Sequence, residues 1–171
     1  PERFHPRPDE PRTFDVAMVS AWDPLKRHEV LFRAAAEVRR RTGRRLRLAL
    51  VGYPMSWSRD RVEDLARTHG VAEDCQFFER IPHAEVARVV ASSGVFVLLS
   101  LQEGGNRSVY ESMFCGTPVV VSREHRGINL DHVGGPTGRL AGDHELPDAL
   151  LAVLGDPRAY DPRGWALRNV V

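Results

Sequence analysis

The feature that most narrows the fold of this chain is an alternation of two patterns. Short, nearly continuous apolar runs occur at 14–20, 46–52, 94–100 and 117–122, with a weaker one at 75–78. Each is rich in Val, Leu or Phe, and apolarity of that length reads as a strand buried on both faces. Between the runs, apolar residues recur at helical spacing. Residues 24–42 place Leu31, Ala34, Ala35 and Val38 on one face, with Gly43 as a stop. Residues 59–69 group Val62, Leu65 and Ala66 before Gly70, and 83–92 group Val86, Val89 and Val90. Residues 106–115 carry Val109, Met113 and Phe114 before Gly116, and 145–154 carry Leu146, Ala149, Leu150 and Val153. Strand and amphipathic helix in alternation specify a parallel, doubly wound α/β sheet. Ligands of such sheets bind beyond the carboxyl ends of the strands, so the residues after each strand are the ones to examine.

Composition sets the outer limits. A chain of 171 residues with 42% hydrophobic and 27% charged residues has material for one domain with a real core. A formal net charge of +1 makes no global case for nucleic acid or a membrane surface. Arg39, Arg40, Arg41, Arg44 and Arg45 read as the solvated end of a helix, where cations suit the dipole. Cys75 and Cys115 lack metal-ligand spacing and read as buried thiols of a reducing compartment. No apolar run approaches the ~20 residues that span a bilayer, so the expected location is cytoplasmic, extending to the inner face of the membrane for a full-length enzyme. The proline-bearing ends (Pro1, Pro6, Pro8, Pro11; Pro157, Pro162) read as linkers around a domain at 13–155.

The stretch from Ser100 to Glu111 is the richest in chemistry. It leaves a buried strand, turns on Gly104 and Gly105, and opens a helix at Asn106, Arg107 and Ser108. Glycines let backbone approach a ligand, and the free N–H groups of a new helix form an anion site. Arg107 in a first turn opposes the helix dipole, a local conflict of the kind found at functional sites. Glu111 lies about 7.5 Å along the axis from Asn106, within reach of a ribose attached to a diphosphate that caps the helix. Without a ligand, the same residues make an ordinary strand–turn–helix junction. A second locus follows the first strand. Asp23 can cap a helix there, Pro24 suits its first position, and Lys26, Arg27 and His28 crowd its first turn with basic groups. An anion held between the two helices would resolve both conflicts.

These residues resemble family 4 glycosyltransferases, retaining enzymes of the two-domain GT-B architecture. Glu103 and Glu111 form an E-x7-E motif, and Gly116-Thr117-Pro118-Val119-Val120 resembles the family's "cGtPVV" signature. Residues 20–27, Leu50-Val51-Gly52, 76–82 and 137–140 resemble further segments, so nearly the whole chain is covered. The first residues resemble the interdomain linker, with 1–12 as its remnant. Residues 156–171 resemble the start of a C-terminal extension that precedes the family's last helix. The resemblance implies the C-terminal, donor-binding half of a hexosyl-type transferase, with a Rossmann-like fold. Lys26 would bind the donor diphosphate, and Gly104, Gly105, Asn106, Arg107 and Ser108 would touch phosphates and sugar. Glu103 would be the catalytic carboxylate facing the sugar and its oxocarbenium-like transition state. Glu111 would hold the ribose, and Gly52 with Ile81 would line the base pocket.

The implied substrate is a nucleotide diphosphate sugar, UDP- or GDP-linked, with no cofactor and no metal. The partner would be an N-terminal acceptor domain, the fragment itself being monomeric and unable to transfer alone. There are departures. The family's arginine before the lysine is Ala21 here, which makes Arg27 or Arg107 a possible substitute cation, and the aromatic–glycine pair after the first glutamate reads Gly105-Asn106. Ala21 also keeps open a binding domain that no longer transfers anything. A GT-B epimerase would carry different motifs around the glutamates. No D-x-D pair, G-x-G-x-x-G fingerprint or nucleophile elbow is present, and the seven histidines show no ligand spacing.

Overall fold

The computed structural model describes residues 2–104 and 107–170. Its centre is a six-stranded sheet, parallel throughout, in the order β3-β2-β1-β4-β5-β6. The strands are β1 (Phe14–Val19), β2 (Leu48–Gly52), β3 (Cys75–Glu79), β4 (Ser93–Leu98), β5 (Val119–Ser122) and β6 (Gly138–Ala141). The helices are α1 (His28–Thr42), α2 (Arg59–Thr68), α3 (His83–Ala91), α4 (Arg107–Phe114), α5 (Leu146–Gly155) and α6 (Pro162–Asn169). This strand order reverses direction between β1 and β4, the Rossmann-like arrangement expected from the alternation.

Alternate residues of each strand feed opposite faces, because the side-chain period of a strand is two. Val16, Met18, Leu48, Leu50, Val95, Val97 and Val120 pack with Leu31, Val38, Val62 and Leu150 from α1, α2 and α5. On the other face Phe96, Leu98, Val119 and Val121 pack with Val109, Met113 and Ala166 of α4 and α6. Ala17, Ala49 and Val51 meet Val89 of α3. The central strands are buried on both sides, which is why they read as unbroken apolar runs; the edge strands β3 and β6 are only partly covered. Cys75 and Cys115 are free thiols whose pKa burial pushes up to about 12.

Three local expectations change. The helix read over 24–42 is broken: Pro24–Lys26 is a short 3-10 turn, Arg27 is left-handed at φ 64°, and α1 begins at His28. Asp23 does cap, accepting from the Leu25 amide at 2.8 Å, but it caps the turn rather than α1. Lys26 and Arg27 therefore stand just ahead of the helix, Arg27 as its N-cap, still at the positive end of the dipole. β6 is a strand that composition alone does not mark, since only Leu140 and Ala141 supply apolar side chains beyond its glycine. Finally, the back end is not an open linker in the structure. Pro162 opens α6, Asp161 accepts from the Gly164 amide at 2.9 Å, and Ala166 is fully buried. A proline in the first turn starts a helix rather than breaking one. Arg163 of α6 donates to the carbonyl of Phe4 at 3.3 Å and to that of Phe114, so both ends of the chain are fastened to α4.

Candidate functional site

A cleft of about 290 Å³ opens at the carboxyl ends of β1, β2 and β3. It brings together Lys26, Glu103, Glu111, Gly52 and Ile81, which the sequence reading named from four separate segments. A larger hollow of about 530 Å³ lies along β6 beside Arg139 and Tyr160, away from those residues.

The floor of the cleft is built by tight backbone packing. The Ser20 amide donates to the Val51 carbonyl at 2.9 Å, and the Trp22 amide to Tyr53 at 2.8 Å. A Cβ on Gly52 would stand 2.3 Å from the Ser20 carbonyl and 2.8 Å from the Trp22 ring. Gly52 thus lets the chain leaving β1 cross the end of β2, and it lines the cleft for the same reason. Trp22 is fully buried and donates from its indole N–H to Glu79 at 2.8 Å, joining the ends of β1 and β3.

Lys26 and Glu103 meet directly. Lys26 Nζ lies 2.6 Å from Glu103 Oε1, with both side chains largely shielded from solvent. The backbone of Glu103 is held by the loop after β5: its amide donates to Arg126 at 3.0 Å. Gly127, at φ 130°, packs so closely that a Cβ would fall 1.9 Å from the Glu103 carbonyl oxygen. His125 Nδ1 lies 2.6 Å from the Ser100 carbonyl, closing the same loop onto the end of β4.

Glu111, on α4, is half-buried. Burial raises its carboxyl pKa above the ordinary value, against the opposing pull of His83, Arg107 and Arg3. His28, in the first turn of α1, is 1% exposed; its ring packs against Trp22 at 5.6 Å between centroids, and neither ring nitrogen has a hydrogen-bond partner among the described residues. Burial drives its pKa down to about 4, and the Lys26 charge adds to the effect. Asp23 is held low by the Ser56 hydroxyl and the Leu25 amide.

The other residues named from sequence fall as follows. Gly104 is exposed in the loop before α4, Arg107 is exposed and Ser108 half-buried in its first turn. These three do not line the cleft wall, while Gly105 and Asn106 lie outside the described residues. Arg27 is not the substitute for the absent arginine at Ala21. Its guanidinium donates to the Leu99 carbonyl at 2.9 Å and pairs with Asp143, so it braces the sheet rather than facing the cleft. Phe4, Tyr53, Arg80 and His83 also line the cleft and were not foreseen. A left-handed residue or a loop folding back over a strand end leaves no mark in apolar periodicity; the adjacency of Tyr53 to Gly52 and of Arg80 to Ile81 was the only signal available.

Fold and site together define a Rossmann-like domain with a charged cleft across its strand ends. The model of the family described as "Glycosyl transferases group 1" matches residues 2–155, and the chain belongs to that family. Among its relatives, the D-inositol 3-phosphate glycosyltransferase of Nocardia farcinica is 35% identical over 148 residues, covering 82% of this chain and 33% of the relative. That of Kribbella flavida is 31% identical over 160 residues, covering 88% and 38%. The chain thus spans about a third of the length of the curated relatives it matches. Solved structures share the fold. Sucrose-phosphate synthase from Thermosynechococcus elongatus superposes with a TM-score of 0.82 at 24% identity, over 98% of this chain and 45% of that one. The C-terminal domain of a group 1 family glycosyl transferase (LpcC) from Francisella tularensis does so at 0.80 and 14%, over 98% and 96%. Anabaena HepE, solved in complex with UDP and glucose, does so at 0.75 and 20%, over 92% and 44%. Among the described residues no helix is long and apolar enough to cross a membrane.

Proposed function

We propose that this domain binds the donor of a retaining glycosyltransferase, a nucleotide diphosphate sugar, in the cleft above β1, β2 and β3. The observation that carries the reading is the meeting of Lys26 with Glu103 in a cleft that also holds Glu111. Lys26 would neutralise the leaving diphosphate, a cation aimed at charge that grows in the transition state. Glu103 would face the transferred sugar and stabilise its developing positive charge. Glu111 would accept from the ribose hydroxyls, and Gly52 and Ile81 would border the base. Residues 104–108, of which Gly104, Arg107 and Ser108 stand outside the cleft wall, would supply amides to the part of the phosphates and sugar that extends beyond the cleft. HepE, described in complex with UDP, supports UDP ahead of GDP as the nucleotide. No metal or cofactor is invoked.

Transfer would need an acceptor held against this cleft, and half a cleft cannot orient one. The isolated domain is therefore expected to bind donor without transferring sugar. The acceptor would be met by the part of a parent chain beyond this domain, so the residues of this cleft do not choose it. Ala21 favours a second reading, a binding domain without transfer. Calorimetric titration with UDP, GDP and ADP tests the donor site. Binding of one nucleotide, weakened by Glu111→Ala, supports it; binding of none by the domain or its full-length parent refutes it. Sugar transfer by the parent, with retained anomeric configuration, separates the two readings.

A further inference from the structure

We propose that Arg80 is a phosphate ligand of the donor, supplying the cation that Ala21 does not. The inference rests on the donor-binding reading and adds a residue that neither the motifs nor the resemblance assigned.

A diphosphate brings concentrated negative charge and must meet cations or oriented N–H groups. The charged residues lining the cleft are Lys26, Arg80, Glu103 and Glu111, and His83 lines it with them. Lys26 is already engaged by Glu103 at 2.6 Å. Arg27, the nearest arginine in sequence, is committed to Leu99 and Asp143. Arg80 is different: its residue is exposed, it lines the cleft with Ala21 and Lys26, and its guanidinium has no carboxylate partner among the described residues. A cation at a cleft wall, with no acid among the described residues to answer it, is open to an anion from outside.

The backbone points the same way. Arg80 sits in the left-handed region at φ 55°, and Arg27 is the other non-glycine described there. Its amide donates to the Gly52 carbonyl at 2.9 Å, which extends the β2–β3 ladder by one bond and fixes where the side chain starts. Glycine would occupy this position without steric strain, yet the chain places an arginine there. Strain kept at a cleft wall points to a need for the side chain. Arginine's planar fork, always charged, matches two phosphate oxygens at once.

Arg80→Gly is the decisive variant, because it removes the charge and relieves the backbone together. Its thermal midpoint should equal or exceed that of the wild type, which keeps a binding defect from being a folding defect. Calorimetry would use the nucleoside diphosphate that the wild type prefers and the matching free nucleoside. The expected result is a loss of about tenfold or more for the diphosphate, with the nucleoside unchanged and Arg80→Lys recovering part of the loss. Diphosphate affinity within about twofold of the wild type would overturn the proposal. So would an equal loss for the nucleoside, which would place Arg80 on the base or ribose. If the wild type binds the nucleoside and gains nothing from the phosphates, Arg80 has no such role and the base site stands. If it binds neither, the donor-binding reading falls and takes this proposal with it.

Discussion

The two ends of the sheet treat charge in opposite ways. At the amino ends, Asp15 of β1 accepts from the Arg47 amide at 2.8 Å and pairs with Arg44 at 2.9 Å. Arg45 there bridges Glu73 and Asp74, and Arg41 ties α1 to Asp148 of α5. Burial would lift the Asp15 pKa, but the Arg47 amide, the Arg47 guanidinium and the Arg44 charge outweigh it and hold the carboxyl low. At the carboxyl ends, burial raises the Glu111 carboxyl with only partial compensation. Both His28 ring nitrogens, Ser100 Oγ and His125 Nε2 are buried there without a hydrogen-bond partner among the described residues. The charges of the amino edge are answered within the chain. The carboxyl edge instead gathers Lys26, Arg80, Glu103 and Glu111 around one open cleft, the arrangement expected of a place that receives a ligand.

That contrast can be broken or sharpened by measurement. The largest effect expected is on the pH dependence of stability through His28. Its pKa is lower folded than unfolded, so its contribution is complete above the unfolded value near 6.5 and is lost as pH falls toward about 4. The loss should be on the order of 3 kcal/mol across that window. Denaturant titrations from pH 7 to 4 should show the slope in the wild type and a flatter profile in His28→Leu; equal slopes would remove His28 from the account.

Asp15→Ala comes next. It strands Arg44 and both the guanidinium and the backbone amide of Arg47, and should destabilise by about 2 kcal/mol. Nucleotide affinity should not move, since the amino edge takes no part in the cleft. The stability that Asp15 supplies is present above its unfolded pKa and falls away as pH drops through the lower, folded value.

Glu111→Gln should do the reverse. Nucleotide affinity should fall about tenfold, or about 1.4 kcal/mol, through the ribose. The thermal midpoint at pH 7 should hold or rise, because a carboxyl with a raised folded pKa is most at ease below its unfolded value and costs stability as pH climbs through the folded one. A fall in midpoint together with intact binding would make Glu111 structural. The smallest effect is expected of Arg27→Gly, a change within about 1 kcal/mol. Relief of the left-handed backbone offsets loss of the bonds to Leu99 and Asp143.

Legibility followed burial. Strands β1, β2, β4 and β5 were readable because both faces are covered, so nearly every residue is apolar. β6 is short, at an edge and half exposed, and left almost no pattern. α6 carries Ala166, Trp165 and two arginines on a weakly amphipathic helix, and its leading proline imitates a linker. In the site, Lys26, Glu103 and Glu111 were visible because each stands next to a strand or on a helix whose position the pattern predicts. Phe4 and Gly127 were not, because one comes from the chain's start and the other from a loop that returns over the end of β4.

The sequence by itself determined the alternation of buried strand and amphipathic helix, hence the parallel sheet, the edge where a ligand would sit and the family of the chain. These are properties of short windows, where hydrophobic period and turn residues act locally. Only the tertiary structure decided which cations are free. Arg27 and Arg80 are both arginines after a strand, both left-handed, and nothing in their local sequence separates them. One meets Leu99 and Asp143, 72 and 116 residues away along the chain; the other lines the cleft with no carboxylate partner among the described residues. Coulomb energy falls off with distance in space and takes no account of distance along the chain, so the fate of a charge is settled only when the chain has folded.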